Sequence, residues 1–233
     1  MLNVYSVKMG FRANIPSTAS VAVPSGDGRL SAPAAVKNAG PITDLVKEFA
    51  PDRGQALEIA SGTGQHIVKL AVAKPSLDWQ PSEIDQLRIA SIEAWCKKDN
   101  FANVRPPIIL DATEIGWSSK FNCQKFILLV NLFHLISEEE AQILISEMSS
   151  ALSPGGRSII YGPFKRNGKL TSAGDETFHQ NLIEADPQIG YKNDVWMTAQ
   201  LKKAKLELLK VATMPANNLA FIFEKPQTYQ RCD

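Results

Sequence analysis

A run of small residues between Glu58 and Gly64 is the stretch of this chain whose residue types and spacing are best suited to chemistry. Apolar residues precede it, as in a buried strand, and apolar residues recur at helical spacing from His66 onward. A strand, a glycine turn and a helix let the backbone approach a ligand closely, and the first free N–H groups of the helix face that ligand. The sequence therefore predicts a binding turn for a nucleotide-like molecule.

The spacing of the glycines narrows the class of ligand. A dinucleotide fingerprint would need a third glycine where Ile67 stands, and the Gly-Lys-Ser/Thr of a phosphate-binding loop is absent from the sequence. The pattern Glu58-x-Ala60-x-Gly62-x-Gly64 resembles motif I of the class I S-adenosylmethionine (SAM) methyltransferases, with Ala60 in place of the first glycine. That resemblance implies SAM as cofactor and S-adenosylhomocysteine as product. A structural strand–turn–helix of another α/β protein is the alternative.

Length and composition limit the class of protein. The chain has 233 residues, which is enough for one α/β domain, and its 44% hydrophobic and 21% charged residues are typical of a soluble globular protein. A formal net charge of +1 provides no long-range attraction to nucleic acid or to an anionic membrane. The cysteines and histidines show no metal-ligand spacing. We therefore expect a cytoplasmic monomer or homodimer that binds no metal, nucleic acid or membrane.

The first 28 residues differ from the rest, because Lys8 and Arg12 are the only charged residues before Asp27. This composition predicts a flexible N-terminal arm, and a transit peptide is the alternative that leaves organellar targeting open. The remainder is predicted to be a single methyltransferase domain, 29–233. Its expected parts are an N-terminal lid or helix (29–53), with 29–38 folding over the cofactor, a SAM-binding half (54–162), and acceptor-site helices with a C-terminal strand pair (163–233).

Alternating strands and helices are expected to position the binding turn. Strands are predicted at about 56–59, 77–83, 103–111, 125–131, 157–161, 205–212 and 218–224. Helices are predicted at about 41–49, 66–74, 86–98, 138–152, 176–185 and 193–203. This alternation predicts an α/β, Rossmann-like fold, with a seven-stranded, mostly parallel sheet, helices on both faces and an antiparallel C-terminal strand.

Ligands of such sheets bind outside the carboxyl ends of the strands, where the strand order reverses. Glu83 ends the second strand and is expected to accept hydrogen bonds from a ribose diol, with Ile84 facing the adenine. Asp85 competes for this role, but we interpret it as the N-cap of the following helix. The residues expected to bind the cofactor are Glu58, Ala60, Ser61, Gly62, Thr63, Gly64, His66, Glu83, Ile84, Asp111, Ala112, Asn131 and Asn38.

The acceptor side is predicted from the polar and aromatic residues that follow the later strands. His134 is the candidate base, because histidine titrates near neutrality and it follows the fourth strand; the alternative is a partly buried residue without chemistry. Tyr161 is the second predicted catalytic residue and is expected to orient the acceptor. The alternative is an aromatic residue that only packs at the edge of the sheet. The residues expected to contact the substrate are Arg29, Tyr161, Phe164, Asn217 and Asn218, with turn formation as the alternative for the two asparagines.

A closer resemblance depends on blocks that run from about residue 29 to residue 225. The blocks are Arg29-Leu30-x-Ala32-Pro33-Ala34, Leu57-Glu58-Ile59-Ala60-Ser61-Gly62-Thr63-Gly64-Gln65-His66, Trp79-Gln80-Pro81-Ser82, Asn103-Val104-Arg105-Pro106-Pro107, Tyr161-Gly162-Pro163-Phe164-Lys165 and Met214-Pro215-Ala216-Asn217-Asn218. Together they resemble the methyltransferase-like protein 26 family, a group of unknown function within the class I methyltransferases. Ser31 and Glu83 stand where an aromatic residue and Asp are usual. The resemblance implies SAM chemistry without defining an acceptor.

We therefore expect methyl transfer to an O, N or S nucleophile of a small organic molecule. The alternative is a SAM-binding protein without transfer activity, acting as a sensor or as a partner in a complex.

Overall fold

The computed structural model describes residues 20–99 and 101–227, and strands alternate with helices through most of that range. The strands are β1 (Val23–Pro24), β2 (Leu30–Ser31), β3 (Gly54–Ile59), β4 (Leu77–Glu83), β5 (Ile108–Ile109), β6 (Gln124–Val130), β7 (Leu152–Lys165), β8 (Lys192–Asn193), β9 (Glu207–Thr213) and β10 (Asn218–Glu224). The α-helices are α1 (Pro33–Phe49), α2 (Gln65–Ala73), α3 (Gln86–Asp99), α4 (Glu138–Ala151), α5 (Ala173–Ala185) and α6 (Asp194–Lys203).

Seven strands form the main sheet in the order β5-β4-β3-β6-β7-β10-β9, and the short β8 pairs with β7 outside this path. The strands from β5 to β7 in that order run parallel, whereas β10 is antiparallel to both β7 and β9. The predicted Rossmann-like α/β fold is therefore confirmed. The order of the strands reverses between β3 and β6, so their carboxyl ends flank a crevice.

The sheet is covered on both faces. Leu57 and Ile59 of β3 belong to the hydrophobic cluster that includes α4 and α6, whereas Ala56 belongs to the cluster with α1, α2 and α3. Because successive strand residues point to opposite faces, both sets of β3 side chains are buried. This burial explains why the central strands are apolar almost throughout.

Helix α1 begins eight residues earlier than the sequence suggested. It starts at Pro33, where a proline is favoured because the first N–H of a helix has no partner, and it continues through Pro41. Pro41 removes one hydrogen bond from the helix interior. The hydroxyl of Thr43 donates to the carbonyl of Ala39 at 2.7 Å in the same turn. The predicted start at Pro41 is therefore wrong, and Pro41 lies inside the helix.

The predicted third strand is much shorter than expected, since β5 contains only two residues and Val104 adds one isolated bridge to Trp79. Pro106 and Pro107 lie between these two pieces and cannot donate to a ladder. The segment 29–38 was predicted to fold over the cofactor as a lid rather than to form a sheet strand. Within it, Leu30–Ser31 does form a short strand, which pairs with Val23–Pro24 in a small separate sheet.

The predicted helix starts are confirmed where capping residues defined them. Ser137 and Glu140 form the predicted capping box of α4. The carboxylate of Asp85 accepts a hydrogen bond from the N–H of Arg88 at 3.0 Å, as expected of an N-cap of α3. Among residues 20–99 and 101–227, no helix has both the length and the apolar character needed to cross a membrane.

Candidate cofactor and acceptor site

The glycine turn after β3 has a backbone conformation that favours small residues. Ala60, Gly62 and Gly64 have φ values of 53°, 61° and 91°, and Gly64 is the N-cap of α2. A Cβ at Gly64 would lie 2.9 Å from the Cα of Ile92 in α3, so the turn and that helix are in direct backbone contact. At Gly62 the nearest atoms to such a Cβ would be 4.0 Å away, which leaves room above the turn.

Hydrogen bonds of serine backbone and side-chain groups join this turn to β4. The N–H of Ser61 donates to the carbonyl of Ser82 at 2.8 Å, and the hydroxyl of Ser82 donates to the carbonyl of Glu58 at 2.9 Å. On the other side, the hydroxyl of Ser91 donates to the carbonyl of Thr63 at 2.7 Å. The turn is thus held in place before any ligand binds.

The Glu83 carboxylate lies under the turn and is 5% exposed. One oxygen accepts the N–H of Gly62 at 2.9 Å, and the other accepts the N–H groups of Ile84 at 2.8 Å and Asp85 at 3.4 Å. Burial raises the pKa of Glu83, against the lowering effect of these amides and of Arg88. Since each carboxylate oxygen has about two acceptor positions, the oxygen facing Gly62 retains one for a ligand hydroxyl.

Glu58 supplies a second buried carboxyl group at the same place and is 2% exposed. Burial raises its pKa to about 8, a hydrogen bond from Ser61 acts in the opposite direction, and the nearby Glu83 raises the pKa further. Its Oε2 atom has no hydrogen-bond partner among the described residues. The turn therefore lies beside one acceptor position of Glu83 and one unpaired oxygen of Glu58.

Four predicted residues from different elements meet at the side of the crevice. The Nε2 atom of His66 and the Oδ1 atom of Asn38 are 2.8 Å apart. Burial raises the pKa of Tyr161, and the amides of Asn38 and Asn218 act in the opposite direction. Burial and Lys69 lower the pKa of His66 to about 4. We call these side chains (Asn38, His66, Tyr161 and Asn218) the amide–histidine network.

The remaining cofactor candidates lie after β4, β5 and β6. Ile84 is half-buried, and Asp111 accepts from the N–H and hydroxyl of Thr113 at 2.9 and 2.6 Å. Ala112 is buried. Asn131 has a φ of 58° and donates its N–H to the carbonyl of Tyr161 at 2.8 Å. All are at strand ends on the crevice edge, as predicted.

His134 lies in a different environment, which we call the His134 pocket (His134, Phe178, Tyr191 and Lys192). The rings of Phe178 and Tyr191 are 5.7 and 6.3 Å from the imidazole. His134 is 4% exposed, and burial together with Lys192 lowers its pKa to about 3. Its Nδ1 atom has no partner among the described residues. An imidazole held neutral in this way is a weak base at neutral pH, so its catalytic role stays a prediction.

Three of the predicted substrate contacts are engaged elsewhere in the structure. Phe164 is 2% exposed and packs against Phe133 and Phe221, which places it in the core rather than on the crevice wall. The Arg29 guanidinium pairs with Asp27 and lies 4.4 Å from the centre of the Trp95 ring. The amide of Asn217 donates to Asp175 at 2.9 Å at the start of α5.

Gln65 is a residue of this region that sequence reasoning did not single out. Its side-chain oxygen accepts from the N–H of Ala32 at 2.5 Å and from the hydroxyl of Thr63 at 2.9 Å. It therefore joins the segment before α1 to the glycine turn. Its position in a block that resembles a family motif was the available signal, but no local spacing indicates a partner 33 residues earlier.

Comparison with solved structures shows that this chain shares the fold of several proteins that are named as methyltransferases. An O-methyltransferase family protein from Burkholderia thailandensis is 17% identical, with a TM-score of 0.70 over 84% of this chain and 58% of that one. An O-methyltransferase family 2 protein from Planctomyces limnophilus, in complex with apigenin, is 15% identical, with a TM-score of 0.67 over 82% and 60%. Human N-acetylserotonin methyltransferase in complex with SAM is 12% identical, with a TM-score of 0.63 over 83% and 53%.

This chain thus spans between 53% and 60% of the length of these three proteins. At sequence identities of 12% to 17%, the similarity to these three proteins shows a shared fold and nothing further. A family model described as "Protein of unknown function (DUF938)" matches residues 29–225, and the chain belongs to that family.

Proposed function

We propose that this protein is a SAM-dependent methyltransferase that acts on an O, N or S atom of a small organic molecule. The observation that carries the proposal is the crevice at the strand ends, where a turn with three positive φ values lies over Glu83. The solved structures that share the fold are named as methyltransferases, and one of them is in complex with SAM. This likeness supports the proposal at the level of the superfamily.

The residues of the crevice fit SAM in two respects. The free acceptor position on Glu83 suits a ribose hydroxyl, and the unpaired Oε2 of Glu58 lies beside the turn that would hold the methionine end. Residues 84, 111, 112 and 131 would line the adenine side. When bound, SAM supplies a methyl group already activated on a sulfonium. The protein's own part is to orient the acceptor against that methyl group and to exclude water.

The acceptor would meet the crevice beside Tyr161 and Asn218. A base is needed only if the nucleophile carries a proton that must leave. His134 is the candidate by position, but a pKa near 3 makes it a weak acceptor of protons at neutral pH. We therefore propose an acceptor whose nucleophile needs little help from a base. The weak basicity of His134 also favours the alternative, a SAM-binding protein without transfer activity.

Several finer assignments belong to the same proposal. Within the class I methyltransferases we place the chain closest to the methyltransferase-like protein 26 group. We propose a cytoplasmic monomer or homodimer with a small-molecule acceptor, since the net charge of +1 favours neither nucleic acid nor membrane. Segment 29–38 would cover the cofactor, because Ala32 already contacts Gln65 next to the turn.

Calorimetry with S-adenosylhomocysteine tests the placement. Gly62→Val should largely abolish binding, because a branched side chain would fill the space above the turn and strain the positive φ. Glu83→Ala should weaken binding by roughly tenfold or more, since it removes a carboxyl acceptor and releases the Gly62 amide. Gly116→Val is the matched control, since Gly116 also has a positive φ of 100° but its Cβ would meet nothing within 4 Å. Unchanged affinity in folded Gly62→Val protein would reject the placement.

Transfer activity is tested separately with methyl-labelled SAM and a panel of thiols, phenols, amines and carboxylates. Label in one acceptor class identifies the nucleophile. Tight S-adenosylhomocysteine binding without transfer to any member of the panel would favour the binding protein. His134→Ala should leave turnover nearly unchanged if the pKa near 3 describes its chemistry, and a large loss of turnover with normal affinity would restore it as the base.

A further inference from the structure

A short segment before α1, which we call the strap (residues 29–32), lies against the helix that follows β4. Its strand β2 pairs with β1. The ring N–H of Trp95 in α3 donates to the carbonyl of Leu30 at 2.9 Å, and the Arg29 guanidinium lies 4.4 Å from the centre of the same ring. The strap is therefore docked on α3 by side-chain contacts as well as by its own small sheet.

Two backbone amides of the strap donate to side chains of α2 and α3. The N–H of Leu30 donates to the hydroxyl oxygen of Ser91 at 2.8 Å, and the N–H of Ala32 donates to the side-chain oxygen of Gln65 at 2.5 Å. Ser91 and Gln65 are 0% and 8% exposed. Alternate residues of an extended chain direct their N–H groups to the same side, so one edge of the strap meets both acceptors.

Both acceptors are bonded in turn to the same residue of the glycine turn, Thr63. The Ser91 hydroxyl donates to the carbonyl of Thr63 at 2.7 Å, and the Thr63 hydroxyl donates to the side-chain oxygen of Gln65 at 2.9 Å. Thr63 is 4% exposed and lies between Gly62 and Gly64, whose positive φ values set the shape of the turn. Two separate chains of hydrogen bonds therefore run from the strap to one residue.

The chemistry of the groups fixes the direction of every bond in these two chains. A backbone N–H can only donate, and a carbonyl or amide oxygen can only accept. Ser91 accepts from the strap and uses its single proton on Thr63, while the side-chain oxygen of Gln65 accepts one donor from each side. Displacing the strap therefore removes a partner from each of the two side chains that hold Thr63, and buried groups that lose a partner are costly.

We propose that Thr63 is a positioning residue that couples the docking of the strap to the binding of a ligand on the glycine turn, so that each favours the other. A ligand above Gly62 and Gly64 restricts the backbone of the residue between them. Thr63 then holds Ser91 and Gln65 in the orientation that receives the strap. The inference rests on the proposed function for the ligand, which is SAM or S-adenosylhomocysteine.

This role differs from that of a lid that touches the cofactor. A lid acts through its own contacts with the ligand, so its docking would respond to the ligand whatever residue stands at position 63. A link through Thr63 acts from within the protein, and the response of the strap would then depend on the hydrogen bonds of that residue. Such a coupling is reciprocal and typically amounts to about 5-fold to 150-fold.

Single substitutions can open each chain of hydrogen bonds separately. Thr63→Val keeps the shape of the side chain and the Thr63 carbonyl but removes the donor to Gln65, whereas Thr63→Ser keeps that donor. Ser91→Ala opens the other chain, because it removes both bonds of the Ser91 hydroxyl. Thr43→Val is the matched control, since the Thr43 hydroxyl donates to a carbonyl within α1.

The first measurement is hydrogen exchange by NMR without ligand. The amides of Leu30 and Ala32 should be protected in the wild type but should exchange faster than that of Leu128 in the buried strand β6, which reports global unfolding. In Thr63→Val, the Ala32 amide should exchange about twofold to tenfold faster, as expected for the loss of one neutral hydrogen bond. Thr63→Ser and Thr43→Val should match the wild type. An unchanged rate at Ala32 in Thr63→Val would overturn the link whether or not SAM binds.

The second measurement adds saturating S-adenosylhomocysteine, with binding confirmed by calorimetry. Exchange at Leu30 and Ala32 should slow by about 5-fold to 150-fold in the wild type, in Thr63→Ser and in Thr43→Val. Thr63→Val should reduce the slowing at Ala32, and the double variant Thr63→Val/Ser91→Ala should abolish it at both amides.

Three results would reject the proposal. They are equal slowing in the wild type and the double variant, which would favour a lid that touches the ligand, the absence of slowing in wild type that binds S-adenosylhomocysteine, and strap amides that exchange no faster than Leu128. Failure of the wild type to bind S-adenosylhomocysteine at all would reject the proposed function instead, and the measurement without ligand would still decide whether Thr63 holds the strap.

Discussion

The crevice around the glycine turn and the His134 pocket each bury a histidine, but they satisfy it differently. In the crevice, the Nε2 atom of His66 has an amide partner, Oδ1 of Asn38, at 2.8 Å. In the His134 pocket, the imidazole contacts two aromatic rings, and its Nδ1 atom has no partner among the described residues. A histidine whose ring is fixed by a hydrogen bond can help to position a ligand. A buried ring nitrogen without a hydrogen bond instead lowers the stability of the fold.

Each region also contains one titratable side chain with an atom that has no hydrogen-bond partner in the described part of the chain. The two side chains, a carboxyl group and an imidazole, carry opposite charges when ionised. In the crevice this atom is Oε2 of Glu58, whose pKa burial raises to about 8. In the His134 pocket it is Nδ1 of His134, whose pKa burial lowers to about 3. Both groups are therefore neutral near pH 7. The two regions should respond in opposite directions to a change in pH, and variants can separate their contributions.

The largest expected effect is that of Glu58→Gln on the pH dependence of stability between pH 4.5 and 8. The folded-state pKa of Glu58 is raised above its ordinary value of 4.5, so its contribution is fully present below pH 4.5 and is lost as the pH rises to about 8. At about 1.4 kcal/mol per pH unit, the free energy of unfolding should fall by roughly 4 to 5 kcal/mol across that window. Glutamine cannot ionise, so the free energy of unfolding of the variant should not show this fall. Urea unfolding of wild type and variant at pH 5, 7 and 8.5 measures the difference.

Glu147→Gln is the control for Glu58→Gln, because Glu147 is also buried but accepts the N–H of Ser118 at 2.8 Å, and its pKa is lowered. Its removal should not reduce the loss of stability between pH 5 and 8.5. If Glu58→Gln lost as much stability as the wild type over that range, Glu58 would already be ionised in the crevice at pH 5.

The second effect compares Gly64 of the glycine turn with Gly190, which adjoins the His134 pocket because its N–H donates to the carbonyl of His134 at 3.0 Å. A Cβ at Gly64 would lie 2.9 Å from the Cα of Ile92, a backbone atom that cannot move alone. A Cβ at Gly190 would lie 2.7 Å from Cε1 of His179, a side-chain atom whose ring is held by one hydrogen bond from the N–H of Tyr191 at 3.1 Å. Both φ values are positive, so both alanines also carry backbone strain of about 1 to 3 kcal/mol. We expect Gly64→Ala to lose about 3 kcal/mol or more and Gly190→Ala to lose less, as measured by urea unfolding.

Gly62→Ala is the control for the glycine comparison, since its Cβ would have 4.0 Å of free space and only the strain of the positive φ would remain. If Gly190→Ala lost as much stability as Gly64→Ala, the surroundings of Gly190 would be as rigid as the glycine turn, contrary to the comparison above.

The sequence could predict the elements whose ends have local signals. The bounds of β4 and β10 agree with the prediction because prolines and polar turns limit them, and Asp85 and Ser137 cap helices as expected. The start of α1 could not be predicted from apolar periodicity, because residues 33–40 are mostly small and a helix-internal Pro41 is normally a stop signal.

The position of the candidate residues in the fold could be predicted in part. Several of them lie after strand ends on one edge of the sheet, because a parallel sheet brings its carboxyl ends together. Phe164 was misjudged because β7 continues to Lys165, where it pairs with β8, so residue 164 remains in the sheet and faces the core. The network around Asn38 could not be predicted, since its four residues span 180 positions and no local pattern joins an amide to a distant phenol.

The smallest of the three effects is that of His134→Leu on stability at mildly acidic pH. The folded-state pKa of His134 lies below the ordinary 6.5, so its contribution to stability is present above pH 6.5 and is lost as the pH falls toward 3. At pH 5 this loss is roughly 2 kcal/mol relative to neutral pH. Leucine has no titratable group and also removes the unpaired Nδ1, so the variant should be at least as stable as the wild type at pH 7.5 and should lose less at pH 5.

His66→Leu separates the two regions in the same experiment. It also removes a histidine whose pKa is lowered, to about 4, but it leaves Oδ1 of Asn38 buried without a donor. That unpaired acceptor should cost about 1 to 3 kcal/mol at every pH. The midpoints of urea unfolding at pH 5 and 7.5 show which of the two variants, His134→Leu or His66→Leu, is the more stable at each pH. A His134→Leu protein that is less stable than His66→Leu at pH 7.5 would mean that His134 has a partner in solution, and the contrast between the two regions would then fail.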